Sequence, residues 1–214
     1  GNWDVAEGAA FVEFDYDTHC IDPYTLPKHW DRVKGIDYGY AAESAVVWAA
    51  IDPSDETLII YRELYQKGLT GEDLAKKIYE YEKEDRLSVR GVLDWAAWNT
   101  TGPTVGEVLA TAGHKLRRAD KNRIQGKIQI HERLKINAKG RPKLQIFKNC
   151  PNLIREIQSI PLDPNKPEDV DTKASDHAYD ALRYLIMSRP RTQSVWEAMA
   201  DKKKWTPSDP TFGY

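Results

Sequence analysis

Three stretches of the sequence carry carboxylates in settings where acids do chemistry. Asp37 stands in Gly35-Ile-Asp-Tyr-Gly39, Asp94 closes Val92-Leu-Asp-Trp95, and Asp176 and Asp180 fall four apart in Ser175-Asp-His-Ala-Tyr-Asp-Ala-Leu-Arg-Tyr184. That spacing puts Asp176 and Asp180 on one helix face and leaves Ala181, Leu182 and Leu185 to pack inward. Gathered carboxylates repel one another unless a cation lies among them, and an oxygen-only donor set suits Mg2+ or Mn2+. Two such ions about 4 Å apart can activate a water and stabilise the leaving 3′-oxygen of a phosphodiester without any protein nucleophile. The sequence has no Gly-x-Ser-x-Gly elbow, in keeping with that chemistry. Each acid alone reads more plainly as a turn or cap residue, and Asp176, directly after Ser175, as helix N-terminal charge. Together they point to a site, because a structural role would have to be found for each separately. His177 can ligate a metal or contact phosphate, and reads equally as a surface histidine.

The acids require elements that bring them together. Residues 33–39, 44–51 and 57–64 are β-rich runs with short connections, the second being Asp52-Pro-Ser-Asp55, and they predict a three-strand antiparallel meander ending its first strand near Asp37. Thr70 with Asp73 opens a helix to about residue 85, 89–93 is a short strand ending at Asp94, and 104–112 is a helix stopped by Gly113. This alternation adds parallel strands to the meander, and sites gather at the carboxyl ends of such strands. Residues 120–133 have helical spacing; 134–137 and 143–147 predict a basic β-hairpin turning at Gly140. Pro151 opens a helix through residue 160, and Ser175 caps a last helix to about 188. The predicted fold is α/β, a central mixed sheet flanked by helices.

The chain of 214 residues carries a net charge of only −2, unevenly spread. Residues 115–148 hold 12 Lys and Arg against Asp120 and Glu132, a net +10, which leaves −12 for the remainder. A one-signed excess favours phosphate contact over a merely solvated face, with Lys115, Arg117, Arg118, Lys121, Arg123, Lys127, Lys139, Arg141 and Lys143 as the DNA-binding candidates. Trp95 and Trp98 beside Asp94 can stack on bases, although core packing is the plainer reading. Cys20 and Cys150 are too few for a disulfide scaffold and lack zinc spacing. No apolar stretch approaches the roughly 20 residues that span a bilayer, and Gly1-Asn-Trp-Asp4 does not read as a secretory signal. Gly1 without a preceding Met suggests an excised fragment: 1–31 a linker, 32–190 the domain, 191–214 a polar tail.

The same residues resemble the large terminase subunits that cut and package the concatemeric DNA of tailed phages. Phe11-Val-Glu-Phe-Asp15 and Pro27-Lys-His-Trp30 are similar to the link leaving the motor domain, Gly35-Ile-Asp-Tyr-Gly39 to the first catalytic strand and Tyr61-Arg-Glu-Leu-Tyr65 to the third. The stretch from Ser175 to Tyr184 resembles the final helix and is the most specific match. The resemblance implies a ribonuclease H-like core and two-metal cleavage of double-stranded DNA. It implies Asp37, Asp94 and Asp180 as catalytic metal ligands, with Asp176 or His177 assisting, Asp37 between two Mg2+ or Mn2+ ions, and a hairpin that gates or contacts DNA. It further implies an ATPase motor, a small terminase subunit and a portal as partners in the intact protein, working in the host cytoplasm. No Gly-x-x-x-x-Gly-Lys-Ser/Thr occurs here, so ATP is not bound by that route. Glu63 sits where related nucleases place an acid on the third strand, and a structural role is equally open. A junction resolvase or integrase, or a non-cleaving clamp docking on portal and motor, are the competing readings.

Overall fold

Residues 45–50 are each fully buried, so this run forms a strand covered on both faces rather than an alternating edge. It lies at the centre of a seven-stranded mixed sheet in a computed structural model that describes residues 8–83, 85, 89–99, 103–138, 140–171, 173 and 175–189. The strands are β1 (Cys20–Ile21), β2 (Arg32–Asp37), β3 (Glu43–Ile51), β4 (Leu58–Lys67), β5 (Arg90–Leu93), β6 (Leu116–Arg118) and β7 (Leu144–Phe147), in the order β1-β7-β4-β3-β2-β5-β6. β2, β3 and β4 form the expected antiparallel meander. The other pairings, β2 with β5, β5 with β6, β4 with β7 and β1 with β7, are parallel.

After the short α1 (Tyr16–His19), the helices are α2 (Gly71–Glu82), α3 (Val105–Thr111), α4 (Arg123–Leu134), α5 (Pro151–Ser159) and α6 (His177–Met187), with a 3-10 turn at Ala96–Trp98. α2 and α3 both start on full capping boxes, Thr70 with Asp73 and Thr104 with Glu107, as their sequences predict. Gly113, at φ +93°, follows α3.

Neighbouring residues of β2 point to opposite faces and meet different helices. Gly35 faces α6, where a Cβ would stand 2.0 Å from the Ala181 carbonyl oxygen and 2.9 Å from Leu185 Cβ. Lys34 faces α2: it is 1% exposed, and its Nζ donates to Glu82 Oε1 at 2.6 Å. The absence of a side chain at Gly35 lets α6 lie with its backbone against the sheet. Gly35→Ala is therefore expected to push α6 outward and to cost about 1–3 kcal/mol, read as a lower urea midpoint with unchanged slope.

Two expectations need correction, and two short strands add to the expected sheet. The hairpin is absent among the described residues: Leu134 is the buried end of α4, and Leu144, Ile146 and Phe147 are buried in β7, inside the sheet between β1 and β4. Leu134 serves the helical period of α4 and does not start a strand. Ser175 does not cap α6, whose N-cap position is Asp176 without a side-chain cap bond. β6 and β1, of three and two residues, were not anticipated. Lys139 of the expected hairpin, residues 1–7 and the tail from 190 lie outside the described residues.

Candidate active site

The carboxyl ends of β2 and β5 lie side by side, Ile36 paired with Leu93, and each strand delivers an acid there. Asp37 is the last residue of β2; Asp94 follows β5, its N–H donating to the Ile36 carbonyl at 2.9 Å. Asp180 arrives from the first turn of α6. The Tyr184 hydroxyl, one turn further along, lies 3.2 Å from Asp94 Oδ1 and 3.5 Å from Asp180 Oδ2 and so spans the two acids. His177 Nδ1 is 3.0 Å from Asp37 Oδ2, and its Nε2 is 3.5 Å from Glu43 Oε2. The structure thus brings Asp37, Asp94, Asp180, Asp176 and His177 to one rim.

The carboxyl groups of the cluster crowd one another. Burial raises the Asp37 carboxyl to about 6, with Asp180 and Asp94 adding to the rise against the hydrogen bond from His177. Asp176 is pushed up to about 7, first by burial and then by Asp180, with Arg123 opposing. The Asp37 hydrogen bond is the main reason His177 holds its proton to higher pH. A divalent cation would relieve this repulsion, and the oxygen donors match Mg2+ or Mn2+. Among the described residues, no three potential ligands already stand together as a cage. Asp180 is instead held by arginines: Arg123 Nη1 is 3.1 Å from its Oδ2 and Arg183 Nε 2.9 Å from its Oδ1.

Solved structures share this architecture, although no family model and no curated protein matches the chain. The nuclease domain of the P22 large terminase superposes with a TM-score of 0.69 over 85% of this chain and 92% of that one, at 17% identity. The chain has the ribonuclease H-like fold of a large-terminase nuclease domain. The large terminase of a thermophilic bacteriophage, solved with ATP-gamma-S, gives a TM-score of 0.70 at 20% identity over 87% of this chain. The present chain spans 47% of that longer one. The nuclease domain of g2p, the large terminase of bacteriophage SPP1, solved with bound Mn, gives 0.58 at 18% identity, covering 79% of this chain and 94% of that one.

Within this terminase-nuclease fold, Glu63 and Glu156, the second of them unmarked in the sequence, set the position of α6. Glu63 on β4 accepts the N–H groups of Asn152 and Leu153, both at 2.9 Å, and so caps α5 from outside the helix. Its role is structural. Glu156 on α5, 1% exposed, does the same for α6, accepting the Tyr179 N–H at 2.9 Å and the Ser175 hydroxyl at 3.2 Å. The sheet thereby fixes α5, and α5 fixes the start of α6, which leaves the Asp176 side chain free of capping duty. Glu156→Ala is expected to destabilise the domain by about 2–4 kcal/mol through unpaired helix-end N–H groups, and to lower any cleavage rate further than the stability loss accounts for. Chemical denaturation beside a rate measured well below the melting temperature separates the two.

Glu43 also joins the rim unannounced. The pairing of Asp37 with Ala45 puts Glu43 two residues away on the same face, a signal legible only once that register is known.

The basic candidates divide sharply. Lys115, Arg117, Arg118 and Lys121 belong to a largely exposed segment, and the Ala119 N–H bonded to the Leu93 carbonyl at 2.9 Å holds that segment beside Asp94. Lys121 Nζ lies 3.4 Å above the Trp95 ring centroid and the Arg118 guanidinium 5.0 Å from it, a cation-aromatic block next to the acid. Arg123, Lys127 and Lys143 are committed internally, Lys127 to the Pro167 carbonyl and Lys143 to Asp55 at 2.9 Å. Lys143 precedes β7 at the end of the sheet remote from Asp37, and Arg141 is exposed in the turn before it. With no hairpin formed among the described residues, these two positions do not extend the surface beside Asp94.

Proposed function

We propose that the chain is a divalent-metal-dependent DNA endonuclease, the nuclease part of a terminase large subunit that cuts concatemeric double-stranded DNA. The observation that carries this reading is the meeting of Asp37 and Asp94 at adjacent strand ends with Asp180 from α6, Tyr184 spanning Asp94 and Asp180 while His177 holds Asp37. Two divalent ions held there would activate a water for attack on the phosphodiester and stabilise the departing 3′-oxygen. In this reading Asp37 would serve both ions, Asp94 one and Asp180 the other. His177 holds the Asp37 carboxylate in place, with Glu43 on its far nitrogen. Lys115, Arg117, Arg118 and Lys121 hold the backbone of the duplex by charge, which gives register without sequence reading. In the intact protein this reading adds an ATPase motor domain, a small terminase subunit and a portal, acting in the host cytoplasm during assembly. The experiment is conversion of supercoiled plasmid to nicked and linear forms in Mg2+, Mn2+ or EDTA. Cutting in either metal and none in EDTA supports the proposal; duplex binding with no cutting in any condition would replace it with a non-cleaving clamp.

A further inference from the structure

Arg123 is a cationic side chain that α4 sets among the acids, and its position runs against local preference. It is the first residue of α4, where the helix dipole disfavours positive charge, and the first turn holds no acid of its own. The compensation comes from elsewhere. Nε donates to Asp169 Oδ2 at 3.0 Å, Nη1 lies 3.1 Å from Asp180 Oδ2 and 3.3 Å from its Oδ1, and Nη2 approaches Asp176 Oδ2 only to 3.6 Å. That Nη2 is buried without a hydrogen-bond partner. The guanidinium is thus held about equally closely by Asp169, outside the metal-ligand set, and by the site acid Asp180, while its donor toward Asp176 stays incomplete. Gly126, one turn on, permits this approach of α4 to α6: a Cβ there would meet Arg183 Cγ at 2.4 Å.

We infer that Arg123 is a resident counter-ion of the carboxylate cluster, which pivots on Asp169 and yields Asp180 when a divalent cation takes that carboxylate. The inference rests on the metal-dependent reading of the site. Arg183 holds Asp180 Oδ1 at 2.9 Å and Arg123 holds Oδ2 at 3.1 Å, so Arg123 is the group that gives up Oδ2 when the carboxylate ligates. Asp169 retains the guanidinium near the rim. Lys at this position would keep the charge but not the fork that engages Asp169 and Asp180 at once.

The test is Mn2+ binding to the full chain by calorimetry for wild type, Arg123→Gln and Arg123→Lys, with melting temperatures in EDTA and in saturating Mn2+. Arg123→Gln is expected to melt below wild type in EDTA, to regain that loss in Mn2+, and to bind Mn2+ roughly tenfold tighter, since a like charge a few ångströms from the ion is removed. Arg123→Lys should bind within about threefold of wild type. Equal or weaker Mn2+ binding by Arg123→Gln, or a stability loss that Mn2+ does not restore, overturns the inference and makes Arg123 a plain structural clamp. If that variant does not fold, the Nε–H NMR signal of Arg123 in the wild type decides: it moves on addition of Mg2+ if Asp180 is exchanged, and an unmoved signal with Mg2+ bound overturns the exchange alone. Failure of the wild type to bind either metal overturns the exchange together with the nuclease reading.

Discussion

Asp37→Asn is expected to lower metal-dependent plasmid cleavage by about a thousandfold or more, because under the proposed mechanism it removes the carboxylate that would serve both ions, a contribution of several kcal/mol. Duplex affinity should change little, since Lys115, Arg117, Arg118 and Lys121 are untouched. The same variant should be more stable than wild type in EDTA at neutral pH. The folded-state pKa of Asp37, about 6, lies above the ordinary 3.8, so its ionisation works against folding. Any stability this acid contributes is present below its unfolded pKa and is lost as pH rises through about 6. Removing the charge removes that loss. Melting curves in EDTA on either side of this window, with cleavage and filter binding on the same preparations, check all three outcomes. A variant that is inactive, less stable and unable to bind DNA would mean that Asp37 is structural.

The second large effect lies on the opposite face of the sheet. Glu82→Ala is expected to destabilise the domain by about 3–5 kcal/mol, since it leaves the Lys34 ammonium buried without its counter-charge. Glu82 Oε1 receives Lys34 Nζ at 2.6 Å and Trp48 Nε1 at 2.8 Å, and both donors lie in the core. Burial already lowers the Lys34 pKa, and Glu82 is the main group raising it again. Replacing the pair together, Lys34→Met with Glu82→Leu, should recover most of the loss, because two apolar side chains need no pairing. Urea unfolding of the single and double variants gives the comparison directly.

How much of this was legible in the sequence depends on the range of the interaction involved. The meander and the starts of α2 and α3 follow from local chemistry: alternating or fully apolar runs, and Thr with an acid three residues on. The convergence of Asp37 and Asp94 could be foreseen because a strand end is a local feature, and the placing of Asp180 on the helix face because four-residue spacing survives in sequence. The failures are all non-local. Leu134 serves a helical period as well as a strand, and only burial in α4 decides between them. β6 and β1 are too short to show a period and form because a neighbouring strand presents open hydrogen bonds. Glu43 and Glu156 act on residues far away in the chain, so neither spacing nor propensity marks them, and Arg123, read as a DNA contact, instead pairs with Asp169 and Asp180. Lys127 and Lys143 show the converse: a run of like charge suggested one surface, yet each side chain found its own internal acceptor.

The most direct test of the central claim is anomalous diffraction at the manganese edge from crystals of the chain soaked in Mn2+. The account predicts anomalous density between Asp37 and Asp94 and between Asp37 and Asp180, lost in Asp37→Asn crystals. Density confined to other acids, or none in a soak that supports plasmid cleavage, would contradict the assignment of this rim as the metal centre.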